Sequence, residues 1–228
     1  MSNLICMSNL GMEQKGNNIL KNINLEIKIG EFIFLIGESG SGKTALLELI
    51  QGRRMYNSGS LKINDKELSQ YDYRELQKLR RTMGIIFQDT RLVEEWTVFD
   101  NITYKLEFLG YPFSLIQSDL ERVTVELGVD KKVRSLPKNL SGGERQRANI
   151  ARAIIGDPQI IIADEPTSNL DRGNSKKVFE ILKKQNKAGA TVIMTTHDPY
   201  FIEKSNFRVV KLAKGEKVYD QSVSNYFV

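Results

Sequence analysis

Two periods organise the chain. From Ile23 to Ile29 apolar residues take every second position, with Asn24, Glu26 and Lys28 between them. That is the pattern of a strand with one dry and one wet face. Gly16-Asn17-Asn18 marks a turn before it and Gly30-Glu31 one after it, so residues 4–30 predict an antiparallel hairpin layer. Phe32–Ile36, Met83–Phe87, Gln159–Ala163 and Thr191–Met194 are apolar on both faces, as strands buried in a parallel sheet are. Ser60–Asn64 predicts a further short antiparallel piece, and Asp72-Tyr73-Arg74-Glu75 has the spacing of a capping box that opens a charged helix to Arg81. From Thr90 to Asp157 the period is helical. Segments 97–109, 115–127 and 143–155 are separated by turns at Gly110-Tyr111-Pro112, Gly128 and Leu136-Pro137. Asn174–Lys187 predicts an amphipathic helix, and the turn Lys214-Gly215-Glu216 joins two last short strands.

This order predicts an α/β fold in one domain, residues 1–228. Residues 1–89 and 158–228 form an α/β core with an antiparallel β layer, and residues 90–157 form an inserted helical lobe. The 228 residues suffice for one large domain, and 40% hydrophobic with 27% charged residues describes a globular chain. No apolar run approaches the roughly 18 residues of a membrane span. The N-terminus lacks the basic region and apolar core of a signal peptide. A single cysteine, Cys6, excludes an internal disulfide framework and any multi-cysteine zinc site. These features predict a cytosolic protein. The net charge of +5 fits a scattered, solvated surface better than a nucleic-acid site, so no nucleic-acid partner is expected.

The most specific chemistry lies in Gly37-Glu38-Ser39-Gly40-Ser41-Gly42-Lys43-Thr44, which fits G-x-x-x-x-G-K-[ST] between a buried strand and a helix-like segment. Glycines let the backbone curl so that successive N–H groups point at phosphate oxygens, and the following helix adds its positive end. Lys43 supplies a mobile charge for the outer phosphates, and Thr44 a hydroxyl for Mg²⁺. An ordinary Gly/Ser-rich turn would not need the Lys-Thr ending.

Asp164 and Glu165 directly follow the strand ending at Ala163. Ligands of open α/β sheets bind beyond the carboxyl ends of strands. Side chains alternate along extended chain, so Asp164 can hold Mg²⁺ through its water shell while Glu165 polarises an attacking water. Leu140-Ser141-Gly142-Gly143-Glu144 contains a capping box, Ser141-x-x-Glu144. Its paired glycines leave the helix start bare, so a phosphate can approach the N–H groups closely. Two helix starts built for phosphate imply two phosphate sites, or one site shared between two copies.

Residues 37–44, Gln88, 140–147, 160–165, Ser168-Asn169-Leu170-Asp171 and His197, in this order and at these separations, resemble the nucleotide-binding subunit of ABC ATPases over essentially the whole chain. The resemblance implies a RecA-like P-loop core with ATP as substrate and Mg²⁺ as cofactor. It assigns Glu165 as the catalytic glutamate, Gln88 as the glutamine that senses Mg²⁺ and communicates with a membrane partner, and His197 as the switch that contacts the γ-phosphate. Leu140–Glu144 resembles the signature motif that reaches ATP on the other protomer of an ATP-bound homodimer, and Ser168–Asp171 the loop at the dimer seam. The family usually stacks an aromatic residue on adenine, yet no Phe, Tyr or Trp precedes Phe32. Met12, or Leu10, is expected there, and base selectivity is expected to be relaxed.

Leu79–Leu92 and Thr97-Val98-Phe99-Asp100-Asn101-Ile102 look most like the FtsE branch, whose membrane partner is FtsX. That branch implies a peripheral place on the cytoplasmic face of the membrane and control of cell-wall hydrolysis. Residues Gln88–Leu109 should face the membrane subunit. Trp96 is expected to be exposed there, whereas Phe99 and Phe108 are expected to pack inward. Lipoprotein-releasing and macrolide-exporter motors share most of these motifs, and an ATP-gated scaffold is a rival of another class. The separation from Thr44 to Ser141 is too short for the coiled coil of chromosome or repair ATPases, and a translation-factor ATPase would need two cassettes.

Overall fold

A computed structural model describes residues 2–221. In chain order its elements are β1 (Asn3–Gln14), β2 (Asn17–Lys28), β3 (Phe32–Ile36), α1 (Lys43–Ile50), β4 (Ser58–Ile63), β5 (Lys66–Glu67), α2 (Tyr73–Arg81) and β6 (Met83–Ile86). There follow α3 (Val98–Phe108), α4 (Phe113–Leu127), α5 (Gly142–Ile154), β7 (Ile160–Ala163), α6 (Arg172–Lys187), β8 (Thr191–Thr195), α7 (Pro199–Glu203), β9 (Arg208–Ala213) and β10 (Glu216–Gln221). Short 3-10 turns cover 68–70, 130–132 and 137–139. The chain divides into two compact units: the described residues up to Thr82 together with those from Thr191 onward, and residues Met83–Ala190.

The first unit holds two sheets. β2, β1, β4 and β5 form an antiparallel layer in that order, with Met7 opposite Leu25 on one side and Leu61 on the other. Alternation sends Ile23, Leu25 and Ile27 inward, all at most 3% exposed, while Ile29, past the strand end, is 49% exposed. β3 lies between parallel β8 and parallel β9, and β10 returns antiparallel to β9. All five residues of β3 are buried, which is why its sequence does not alternate. Phe32 stacks on Phe207 with ring centroids 4.2 Å apart. Each fully buried side chain of this size contributes about 1.5–3 kcal/mol.

One ion cluster ties the tail hairpin to the rest of this unit. Arg208 bonds Asp220 (2.6 Å) and Glu31 (3.0 Å), donates to the Glu26 carbonyl, and shares Asp220 with Lys217 at 2.6 Å. Burial alone would raise the Asp220 carboxyl. Hydrogen bonds from Arg208 and Lys217 outweigh it and hold the group below its ordinary 3.8. A carboxyl depressed by folding adds stability above its unfolded pKa and loses it as pH falls through the folded value. At pH 7 D220N should therefore melt roughly 2–4 °C below the parent. The gap should close in thermal melts taken as pH drops below 3.8. A gap that stays constant with pH would show that the carboxylate charge contributes nothing.

The second unit pairs β6 and β7 in parallel, with Ile86 opposite Ala163, and also holds α3–α6. α5 closes against β6 because Gly84 has no side chain; a Cβ there would lie 2.0 Å from the Ala153 carbonyl oxygen. The predicted capping boxes are formed: Asp72 with Glu75 at α2, and Ser141 with Glu144 at α5. A third, Thr97 with Asp100, opens α3. One expectation fails. Phe108 does not pack inward but is 71% exposed, on the last turn of α3.

Candidate active site

In the first unit the sequence Gly37–Thr44 joins β3 to α1. Gly37 has φ 148°, and a Cβ there would meet the Leu212 carbonyl oxygen at 2.3 Å. Gly42, the residue before α1, has φ 104° and would place a Cβ 2.7 Å from Leu20. No L side chain fits either place, so both glycines are dictated by geometry. The Lys43 ammonium folds back across the loop and donates to the carbonyls of Gly37 (2.6 Å) and Glu38 (3.0 Å). The tail braces the loop from behind: Gly215 N–H donates to the Ser41 carbonyl at 3.1 Å, and its own carbonyl accepts from Lys21 N–H at 2.7 Å.

The loop is suited to an anion. No acidic residue sits in the first turn of α1, so nothing offsets the helix dipole there. Ser41 is 4% exposed, and its buried hydroxyl has no hydrogen-bond partner. A buried polar atom in that state costs free energy until a ligand satisfies it. His197 lies in the same unit, on the turn after β8, pinned where Asp198 N–H donates to the Thr196 hydroxyl at 3.1 Å. Gly37, Glu38, Thr196, His197 and Lys211 line one cavity of about 210 Å³. The predicted switch histidine and the mouth of the loop thus share a pocket.

In the second unit Asp164 extends the pairing of β6 and β7, its N–H donating to the Ile86 carbonyl at 2.9 Å. Gln88, two residues past Ile86, leaves from the same end of the parallel pair and is exposed. Glu165 has φ 48°, a left-handed conformation that costs a non-glycine residue about 1–3 kcal/mol. It is held there by Ser168, whose hydroxyl donates to the Glu165 carbonyl at 3.0 Å and whose N–H does so at 3.2 Å. Buried Gln146 grips the next carbonyl, Pro166, at 2.9 Å. Strained positions held in this way cluster at functional sites.

The same unit carries the signature residues. Leu140 is 9% exposed and anchors the turn into α5. Ser141 caps α5, and a Cβ added to Gly142 would meet nothing within 4 Å, so the helix start is open. The Ser141 N–H, then its hydroxyl, hold the Glu144 carboxyl below the usual range, with Lys132 adding to the effect. Asp171, expected at a dimer seam, also caps α6, accepting from the N–H groups of Gly173 (2.9 Å) and Asn174 (3.0 Å).

Met12 does not fill the place expected of it. It is 5% exposed and lies opposite Leu20 in the β1–β2 pair, and Leu10 is fully buried. Neither offers a surface to a base. The exposed end of β1 carries Glu13 and Gln14, the latter bonded by Arg54 at 2.7 Å. Buried Asn101 went unrecognised in the sequence. It pins the segment after Gln88 by accepting from Val93 N–H (2.8 Å) and donating to the carbonyls of Val93, Trp96 and Thr97. Its place in the Thr-Val-Phe-Asp-Asn run was the available signal.

Residues 20–168 match the family model described as ABC transporter. The chain belongs to the ABC ATP-binding family. The "Cell division ATP-binding protein FtsE" of Mycobacterium tuberculosis is 39% identical over 207 residues, 91% of this chain and 90% of that one. The "Methionine import ATP-binding protein MetN" of Clostridioides difficile is 36% identical over 93% of this chain and 67% of its own. A dimeric ATP-binding cassette in a post-hydrolysis state, bound to ADP and Pi, superposes with a TM-score of 0.88 at 32% identity, covering 95% of this chain and 97% of that one. The fold is therefore the ABC cassette fold, with its antiparallel β subdomain and helical region. The chain is an ABC-type ATPase, similar to FtsE, and ATP is its substrate.

Proposed function

We propose that this ATPase is the nucleotide-binding subunit of an FtsEX-type complex, acting on the cytoplasmic face of the membrane and passing ATP-driven closure to an FtsX-like subunit that controls cell-wall hydrolysis. The observation that carries this is the full-length likeness to FtsE, 91% of one chain against 90% of the other. No helix among the described residues is long and apolar enough to cross a membrane.

Two copies bind ATP head to tail. In each site residues 37–44 of one chain hold the phosphates, Lys43 and the loop N–H groups neutralising the charge. Ser141–Gly143 of the other chain close over the nucleotide with a bare helix start, and Ser168–Asp171 line the seam. Glu165 takes a proton from the attacking water. His197, in the pocket with Gly37, donates to the γ-phosphate. Thr44, Asp164 and Gln88 offer hard oxygen donors and no sulfur, which fits Mg²⁺. Among the described residues no three His, Cys, Asp or Glu are grouped so as to hold a metal ion, and an ion held mainly by phosphate, water and two or three protein oxygens needs no such group. Bound there, it would supply charge neutralisation of the phosphates.

The membrane subunit docks on the stretch after Gln88. Trp96 is 40% exposed and meets Tyr104, 47% exposed, edge to face at 5.7 Å. Exposed paired aromatics are frequent interface anchors. Trp96→Ala should weaken capture of the membrane subunit about tenfold or more, with ATP turnover of the isolated chain and its Tm unchanged. Undiminished capture would remove Trp96 from the interface. The MetN likeness supports a second reading, a motor for a transported solute, and the sequence motifs allow an exporter. Purifying the chain in detergent with its native membrane subunit and identifying that subunit separates them. A solute permease would overturn the FtsEX reading.

A further inference from the structure

Three polar side chains of α5 form a stripe at i, i+3 and i+6: Gln146, Asn149 and Arg152. Gln146 and Asn149 are at most 1% exposed. Each of the three bonds main chain outside the helix. Gln146 donates to the Pro166 carbonyl, next to Glu165. Asn149 donates to the Phe87 carbonyl at 2.8 Å, just before Gln88. Arg152 donates to the carbonyls of Thr90 (2.6 Å) and Arg91 (2.7 Å), just after it. The three also bond one another: Asn149 Nδ2 reaches Gln146 Oε1 at 3.3 Å, and Arg152 reaches Asn149 Oδ1 at 3.1 Å. Gln88 is therefore gripped on both sides by the helix that starts at the signature glycines.

The gripped loop is strained. Thr90 and Arg91 have φ of 53° and 49°, and a β-branched residue such as Thr90 rarely adopts the left-handed region. Such a conformation persists only where surrounding groups hold it. A buried amide is costly unless bonded, and an apolar residue would pack the same helix face without that requirement. The Asn149 amide is spent on the Gln88 loop and on its two helix neighbours.

We infer that Asn149 and Arg152 are positioning residues that fix the Gln88 loop to α5, so that Gln88 keeps its place only while that helix keeps its own. The inference rests on the proposed role of Gln88 at the nucleotide. In the full chain, hydrogen exchange reads the tether and steady-state ATPase kinetics read its consequence. In N149A and R152K, amides of residues 88–92 should exchange about tenfold faster or more, while β6 and β7 keep their protection. R152K retains the charge, but an ammonium cannot span both carbonyls as the guanidinium fork does. Turnover should fall roughly fivefold to tenfold in kcat, with KM for ATP within about twofold. In a Q88A background N149A should cost nothing further. Unchanged exchange at 88–92 in both variants would overturn the inference, and so would an equal loss of kcat with and without Gln88. A Q88A chain with parent turnover would instead overturn the role of Gln88, while faster exchange would still establish the tether.

Discussion

Glu165→Gln is expected to reduce ATP turnover at least about a hundredfold while leaving ATP binding intact. General-base catalysis is worth roughly 10²–10⁴ in rate, and an amide of the same shape cannot accept the proton of the attacking water. The substitution is also gentle on the fold. Glutamine meets the same backbone demand at φ 48°, and the grip of Ser168 and Gln146 on the neighbouring carbonyls does not involve the 165 side chain. Loss of activity with unchanged Tm would therefore locate the effect in chemistry. If two chains close over two ATP molecules, the variant should accumulate as an ATP-bound dimer, visible by light scattering, that separates when ATP is removed. A variant that keeps more than about a tenth of the parent kcat would show that another group activates the water.

Much of this was legible in the amino-acid order, for reasons particular to each element. Strands β3, β6, β7 and β8 were recognisable because both faces are covered, so their residues do not alternate. The starts of α2 and α5 were placed to within a residue because Asp72–Glu75 and Ser141–Glu144 complete their caps locally. α7 spans only Pro199–Glu203, too short for a helical period to register. Met12 was misplaced for a different reason. Counting back from the phosphate loop gives a distance along the chain but not the face of a strand. β1 carries register shifts between Met7 and Leu10 and again between Leu10 and Met12, each of which changes which residues point inward. Phe108 was misjudged because the period of α3 identifies a side of the helix but not whether another element covers it. Asn149 and Arg152 could not be read at all, since the tether they form ends on main-chain groups of a distant segment, and such groups have no sequence signature. The acidic pair and the phosphate loop, by contrast, are contiguous motifs whose chemistry is carried by their own residue types.

Lys43→Ala is the companion substitution, and it should fail at the earlier step. The Lys43 ammonium spans the loop to the carbonyls of Gly37 and Glu38, where it is placed to exchange those contacts for phosphate oxygens. Hydrogen bonds to charged groups are worth about 1.5–3 kcal/mol each, so losing two contacts to phosphate weakens ATP binding by about a hundredfold or more. Fluorescence titration with a labelled ATP should show that loss, and turnover should fall with it. Lys43→Arg should not restore binding. The loop is already closed so tightly that a Cβ on Gly37 would lie 2.6 Å from the Ser41 hydroxyl, and a planar guanidinium needs more room than a single ammonium. The two variants thus divide the cycle: without Lys43 the nucleotide does not stay, and without the Glu165 carboxylate it stays and does not react. Parent-like ATP affinity in Lys43→Ala would mean that the loop N–H groups and the start of α1 hold the phosphates unaided, and would move the role of Lys43 from binding to the chemical step.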